Sequence, residues 1–194
     1  MVEYGATTAL IVVDVQNDFA DPHGSLSVPG AADIIAAVNQ QIADALVAGA
    51  RCVYTQDWHP PDTPHFAKDG GPWPVHCVRD TWGAELVPGL DVAGPVVRKG
   101  TGGEDGYSGF TMRDPRTLAD RPTELAEMLR SKGVREVVVV GLATDYCVKE
   151  TALDAARLGF ATTVLRDAVR AVNVDAEDGE RAFAAMAEGG VSVS

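Results

Sequence analysis

Basic side chains are scarce in this chain. Of its 194 residues, 16 are Lys or Arg and 28 are Asp or Glu, so the formal net charge is −12. A negative field of this size repels polyphosphate backbones and anionic lipid surfaces, which argues against a protein that binds nucleic acid or an acidic membrane. A small neutral ligand is not repelled. The charge therefore favours small-molecule chemistry.

Long apolar runs are also missing, and no stretch approaches the ~20 residues of a membrane span. The first residues, MVEYGATTALIVVD, have neither the basic flank nor the small-residue cleavage site of a secretory signal. The three cysteines, Cys52, Cys77 and Cys147, are an odd number without a CxxC spacing. They indicate free thiols in a reducing compartment rather than a disulfide framework or a zinc ribbon. The sequence therefore predicts a cytoplasmic protein.

The chain instead contains two alternating patterns. Apolar runs rich in β-branched residues, typical of strands buried on both faces, alternate with stretches of helical periodicity. The strands are predicted at 8–14, 50–55, 95–99, 136–142 and 161–168. The helices are predicted at 30–48, 123–132, 146–158 and 175–188, the last capped by Asp175. This alternation predicts an α/β fold, a three-layer αβα sandwich with a mostly parallel sheet of about six strands, in one domain over 1–194.

Polar side chains follow the predicted strands at the edge where such sheets bind ligands. Asp14 ends the first strand, Asp57 and His59 follow the second, Lys99 ends the third, and Cys147 follows the fourth. Each has an ordinary explanation when taken alone, as a turn residue, a solvated charge or a packed thiol. Cys147 differs because it opens a helix, where the helix dipole favours the thiolate.

Three of the four histidines lie between positions 59 and 76, in a long irregular region that runs from 56 to 94. The spacing Asp57-x-His59 at a strand end places both side chains on one face. His65 and His76 would return from the loop to the same place. A carboxylate with imidazoles suits one divalent transition metal ion, Zn²⁺, Fe²⁺ or Mn²⁺. The alternative is a loop stiffened by prolines in which the histidines are incidental.

Six sequence blocks carry a resemblance over nearly the whole chain. In order they are VVDVQNDF (12–19), DWHPPDTPHF (57–66), GPWPVHC (71–77), RKG (98–100), YSGF (107–110) and GLATDYCVKETALDA (141–155). The chain resembles the nicotinamidases, also called pyrazinamidases, of the isochorismatase-like cysteine hydrolase superfamily. The first and last blocks indicate only the superfamily. The D-x-H motif with the later WPVHC separates the nicotinamidases from their metal-free sisters.

The resemblance implies roles for individual residues. It implies a catalytic triad of Asp14, Lys99 and Cys147. It implies an oxyanion hole made by the backbone N–H groups of Ala143 and Cys147, with a cis peptide bond at Leu142–Ala143. The implied metal ligands are Asp57, His59 and His76, with His65 as a ligand that only some members use. The implied substrate-binding residues are Phe19, Trp73 and Tyr107. It gives no role to Tyr146 or to the glycine-rich acidic loop 101–106.

The activity that the resemblance implies is deamidation of nicotinamide to nicotinate and ammonia through a thioester, with pyrazinamide as a further substrate. It implies a role in recycling NAD breakdown products, and it leaves a homo-oligomer open. Three alternatives stay open at this point. They are a metal-free sister hydrolase of the N-carbamoyl amidase or isochorismatase type, a metalloenzyme in which Cys147 merely packs, and a binding protein without catalysis.

Overall fold

Strand β1, Thr8–Val13, consists of six consecutive buried residues, TALIVV, and lies inside the sheet. The structure is a computed structural model that describes residues 2–194. The other strands are β2 Arg51–Asp57, β3 Val96–Lys99, β4 Thr111–Arg113, β5 Asp120–Pro122, β6 Glu136–Leu142, β7 Ala161–Arg170 and β8 Ser192–Val193. The helices are α1 Asn17–Ala20, α2 Ile35–Val47, α3 Leu125–Ser131, α4 Lys149–Arg157 and α5 Asp178–Glu188.

Six of the strands in residues 2–194 form one sheet in the order β3-β2-β1-β6-β7-β8, and every neighbouring pair is parallel. The chain runs outward from β1 to β3 and then returns to the other side of β1 with β6. The strand order therefore changes direction beside β1, and in open α/β sheets ligands bind beyond the carboxyl ends of the strands at such a point. The predicted parallel α/β sheet is confirmed.

The two faces of the sheet are covered by different helices. Neighbouring side chains of a strand point to opposite faces, so β1 contributes to both cores. On one face, Leu10 and Val12 belong to the cluster that contains Val38 and Ile42 of α2. On the other face, Ile11 and Val13 belong to the cluster that contains the apolar side chains of α3, α4 and α5, such as Leu129, Ala155 and Met186. These three layers are the predicted αβα sandwich.

The start of α5 differs from the sequence prediction. The helix begins at Asp178, and Asp175 is not its cap. The backbone N–H of Asp175 instead donates a hydrogen bond of 2.7 Å to the carboxylate of Asp178. The N–H of Asp178 donates to the carbonyl of Asp175 at 3.0 Å, which closes a three-residue turn, and the N–H of Arg181 donates to the carbonyl of Glu177 at 2.9 Å, so residues 175–177 precede the helix.

Three short strands were missed. β4 and β5 have three residues each and form a separate antiparallel pair, and β8 has two residues at the edge of the main sheet. Runs of this length show no readable periodicity. The helix predicted from 146 also differs, because a π-helical turn, Thr144–Val148, precedes α4.

The irregular segment 58–95 is held by packing rather than by long regular elements. Phe66 is fully buried, and His59 forms an isolated parallel bridge with Val78. Two 3₁₀ turns, Ala67–Asp69 and Trp82–Ala84, interrupt it. The segment therefore places its histidines in fixed positions above the sheet.

The longest helix described is α2, with 13 residues. No helix among residues 2–194 combines the length and the apolar character needed to cross a membrane.

Candidate active site

The strand ends bring four of the predicted residues to one place. Asp14 directly follows β1, Asp57 ends β2, and Lys99 ends β3, where it is the register partner of Asp57. Cys147 lies in the π-helical turn that follows β6. All four side chains are buried. They meet because the carboxyl ends of parallel strands lie at the same edge of the sheet.

The fully buried ammonium of Lys99 lies at the centre of this group. Its Nζ is 2.8 Å from Oδ2 of Asp14, and it donates hydrogen bonds to Oδ1 of Asp57 and, at 3.6 Å, to Sγ of Cys147. The other oxygen of Asp14 accepts a hydrogen bond of 2.6 Å from Oγ1 of Thr55. Burying a carboxylate without a partner costs free energy. The ammonium of Lys99 offsets this cost for both carboxylates.

The electrostatics favour a neutral thiol beside a potential base. Burial raises the pKa of Cys147 well above its ordinary value, and Lys99 offsets this only in part. Burial also raises the pKa of Asp14, again against the effect of Lys99. The sequence predicts that the start of a helix favours the thiolate, which would lower the pKa of this thiol. The pKa is instead raised, because Sγ is enclosed by protein rather than exposed at a helix end. Oxygens of Asp14 and Asp57 and Sγ of Cys147 all lie within 4.8 Å of one another.

The other two charged groups are shifted toward their ionised forms. Burial alone would lower the pKa of Lys99, but Asp14 and Asp57 outweigh it and raise that pKa well above its ordinary value. Burial would raise the pKa of Asp57, but Lys99 and then His59 hold it below its usual range. The result is an ammonium fixed between two carboxylates, of which Asp57 is the more strongly ionised.

Three histidines form a cluster beside Asp57. Ring nitrogens of His59, His65 and His76 lie within 4.8 Å of one another, and the ring centroids are 4.7 to 5.3 Å apart. All three are buried. Oδ2 of Asp57 is 3.9 Å from Nε2 of His59, which is too long for a hydrogen bond.

These residues fit a metal ion. Neither ring nitrogen of His59 has a hydrogen-bond partner among residues 2–194, and buried polar atoms without partners are rare. Burial lowers the pKa of His76 to about 4. A neutral imidazole offers the lone pair that a metal requires. The set of three imidazoles and a carboxylate without thiolate is one that Zn²⁺, Fe²⁺ and Mn²⁺ accept.

A small cleft opens above the thiol and the histidines. It is lined by Phe19, Leu26, Val28, Asp57, His65, Trp73, His76, Tyr107, Ala143, Tyr146, Cys147 and Val172. Nε1 of Trp73 donates a hydrogen bond of 2.8 Å to the hydroxyl of Tyr107. The peptide bond Leu142–Ala143 at the cleft is cis. The predicted aromatic residues and Ala143 thus all lie at the cleft, while Asp14 and Lys99 lie beneath it.

Sequence reasoning gave no role to two residues that shape the site. Tyr146 lines the cleft, where its ring meets that of Trp73 edge to face at a centroid distance of 4.9 Å. The amide side chain of Gln16 is fully buried and holds both sides of the Asp57 backbone. It accepts from the N–H of Asp57 and donates to its carbonyl, both at 2.8 Å. Gln16 lies within the block VVDVQNDF, but nothing in that block indicates a contact with the backbone of Asp57.

The other two thiols do not line the cleft. Cys52 is buried within β2, where its side chain belongs to the core under α2. Cys77 follows the ligand candidate His76, and its backbone N–H donates 2.7 Å to Oδ2 of Asp18. Burial raises the pKa of each of these cysteines. Both therefore behave as packed thiols.

Comparison with known proteins agrees with this fold. Residues 8–194 match the Isochorismatase domain family. The chain therefore belongs to the isochorismatase family. The nicotinamidase/pyrazinamidase of Mycobacterium tuberculosis is 44% identical over 176 residues, which are 86% of this chain and 88% of that protein.

Two solved structures of other proteins are also similar to this chain over nearly its whole length. The pyrazinamidase of Pyrococcus horikoshii, solved in complex with zinc, is 43% identical with a TM-score of 0.86, covering 97% of this chain and 98% of the other. PnC1 from L. infantum, solved in complex with nicotinate, is 38% identical with a TM-score of 0.89, covering 100% of this chain and 95% of the other.

The ammonium of Lys99 should contribute to the stability of the folded protein. Replacing Lys99 by Met leaves Asp14 and Asp57 buried without their cation, so we expect the free energy of unfolding to fall by about 3–5 kcal/mol. Chemical denaturation at neutral pH measures this loss. The matched control is Lys149→Met, which removes a partly exposed pair with Glu150 at 3.4 Å and should cost less than about 1 kcal/mol.

The deficit of Lys99→Met should also depend on pH. Without the ammonium, burial raises the pKa of the two carboxylates in the folded variant above their values in the unfolded chain. The folded variant then binds protons that the unfolded chain has lost, so the deficit should shrink as the pH falls from about 8 to about 5. A deficit that stays constant over this range would show that the carboxylates do not depend on Lys99.

Proposed function

We propose that this protein hydrolyses nicotinamide to nicotinate and ammonia, with Cys147 as the nucleophile and a thioester as the intermediate. The observation that carries the proposal is that the Asp14–Lys99–Cys147 group and the histidine cluster meet at one cleft, joined through Asp57. Relatives named nicotinamidase or pyrazinamidase support the choice of substrate. Pyrazinamide, an aromatic carboxamide of similar shape, is a second expected substrate, and the reaction would recycle a breakdown product of NAD.

Asp14 acts as the general base in this proposal. It takes the proton of the Cys147 thiol as the sulfur attacks the carboxamide carbon, so the thiol need not be ionised beforehand. The same proton then passes from Asp14 to the departing nitrogen, which leaves as ammonia. Asp14, again a carboxylate, accepts a proton from the water that attacks the thioester carbon. That proton passes to sulfur as the carbon–sulfur bond breaks, which restores the thiol, and the product acid loses its carboxyl proton to become nicotinate.

Lys99 keeps the charge of this cycle balanced. Its ammonium lies 2.8 Å from Asp14 and 3.6 Å from Sγ of Cys147, so it faces the negative charge whether that charge is on oxygen or sulfur. A fixed cation beside both atoms requires little reorganisation as the proton moves. The backbone N–H groups of Ala143 and Cys147 are proposed to stabilise the oxyanion, since both residues line the cleft next to the nucleophile.

His59, His65 and His76 would hold one divalent transition metal ion, Zn²⁺, Fe²⁺ or Mn²⁺. Asp57, whose Oδ2 is 3.9 Å from Nε2 of His59, would supply the carboxylate ligand. When bound, the metal supplies a Lewis acid for the pyridine nitrogen, which orients the ring. Aromatic side chains of the cleft would position the substrate ring. Phe19 packs beside His76 at a centroid distance of 5.5 Å, and Trp73 and Tyr107 are joined by a hydrogen bond on the cleft wall. These aromatic side chains would hold a flat ring with its carboxamide at Cys147.

The histidine cluster favours a nicotinamidase over a metal-free sister hydrolase. A hydrolase that used only the triad would gain nothing from three buried imidazoles, and His59 would carry unsatisfied nitrogens at a cost of about 1–3 kcal/mol each. A substrate with a ring nitrogen would use the cluster, because a metal held by the histidines would bind that nitrogen.

Removal of the nucleophile should abolish turnover and spare the metal site. We expect Cys147→Ala to reduce kcat by at least about 10⁴-fold, because no other group can form the thioester. Ammonia release from nicotinamide measures activity, and equilibrium dialysis measures bound metal. Cys52→Ala is the matched control and should retain activity, since that thiol lies within β2. Activity of Cys147→Ala within tenfold of the wild type would rule out the covalent route.

Removal of a central ligand should remove both the metal and the recognition of the ring nitrogen. We expect His59→Ala to lose bound metal, to raise KM for nicotinamide, and to lose the preference of the wild type for nicotinamide over benzamide, which lacks that nitrogen. His23→Ala, at a side chain 93% exposed, is the control and should change none of these. A preference for nicotinamide that survives in His59→Ala would mean that another group reads the ring nitrogen.

A further inference from the structure

We propose that Asp105 is a positioning residue that fixes His65 in the tautomer whose Nε2 faces the other two histidines. This inference rests on the proposed metal site and assigns a function to the acidic loop that follows Lys99. Oδ1 of Asp105 is 2.8 Å from Nδ1 of His65. The imidazole is 4% exposed, whereas the carboxylate is 32% exposed and so keeps part of its hydration.

The contact determines which ring nitrogen carries the proton. An ionised carboxylate can only accept hydrogen bonds, so Nδ1 of His65 is the donor and Nε2 carries the lone pair. One ring nitrogen of His65 belongs to the cluster with His59 and His76, and because Nδ1 is occupied by Asp105, that atom is Nε2. By accepting a hydrogen bond from Nδ1–H, the carboxylate also raises the basicity of Nε2, which makes the imidazole a stronger metal ligand.

His76 is oriented in the same way by a different acceptor. Its Nδ1 lies 2.7 Å from the carbonyl oxygen of Pro74, which likewise can only accept. Two histidines of the cluster thus have Nδ1 fixed from outside and Nε2 left for the centre. The acceptor for His76 is a backbone carbonyl, which a substitution leaves in place. The acceptor for His65 is a side chain, which a substitution can remove.

The loop that carries Asp105 is anchored independently of this contact. The N–H and carbonyl of Asp105 pair with those of Arg113, both at 2.8 Å. Oγ1 of Thr63 donates 2.9 Å to the carbonyl of Gly103 and accepts from the N–H of His65 at 3.2 Å. The loop also begins against the cluster, because a Cβ on Gly100 would lie 2.5 Å from the ring of His59. Truncating the Asp105 side chain should therefore leave the loop in place.

The test is Zn²⁺ titration of the metal-free protein by calorimetry, combined with long-range ¹H–¹⁵N NMR of the histidine rings. We expect Asp105→Ala to bind Zn²⁺ about 10–100-fold more weakly and to lose the single tautomer of His65. Asp105→Asn keeps an oxygen that can accept from Nδ1, so it should retain the tautomer and lose less affinity. The matched control is Asp120→Ala, which removes the exposed partner of Arg113 at 3.0 Å and should change neither quantity.

The outcomes separate this inference from the proposed function. An unchanged His65 tautomer in Asp105→Ala overturns the inference, whatever the titration shows. Wild-type affinity in Asp105→Ala overturns it as well. If the wild type itself binds no Zn²⁺, the proposed metal site fails, while the NMR spectra of the metal-free protein still decide the role of Asp105.

Discussion

The site depends on one buried ammonium. Lys99 ends the edge strand β3, where it contacts Asp57 at the end of the adjacent strand β2 and Asp14 just beyond β1, and its charge offsets the cost of burying these two carboxylates. The same ammonium contacts the sulfur of Cys147. The proposed proton transfer and the proposed metal site therefore share one electrostatic centre. Asp57 belongs to both, since it binds Lys99 on one side and adjoins the histidines on the other.

In the proposed mechanism, this arrangement lets a thiol with a raised pKa act as the nucleophile. Burial disfavours the free thiolate of Cys147, but the base is already within reach and the cation is already in place. The sulfur can lose its proton as the new bond forms, so an exposed, permanently ionised thiolate is not needed. A buried neutral thiol is also less open to oxidation, because oxidation follows thiolate character and exposure.

Sequence alone predicted the sheet and the strand-end residues well, for a physical reason. Strands such as β1 and β6 are buried on both faces and read as unbroken apolar runs, and a parallel sheet brings their carboxyl ends together. The missed features depend on contacts that have no local signature. The two hydrogen bonds between Gln16 and the Asp57 backbone join residues 41 positions apart, and the single hydrogen bond between Asp105 and His65 joins residues 40 positions apart. The start of α5 was misplaced because an aspartate is as typical of a turn as of a helix cap, and here residues 175–177 precede the helix in a turn.

The central claim is that acyl transfer passes through Cys147, and rapid acid quenching of wild-type protein during nicotinamide turnover tests it most directly. Tryptic cleavage after Arg135 and Lys149 isolates Cys147 from the other two cysteines. The account predicts a mass increase of one nicotinoyl group on that peptide, labile to hydroxylamine as a thioester is. Continued turnover with no acyl group on this peptide at any quench time, or with the acyl group on Cys52 or Cys77, would contradict it.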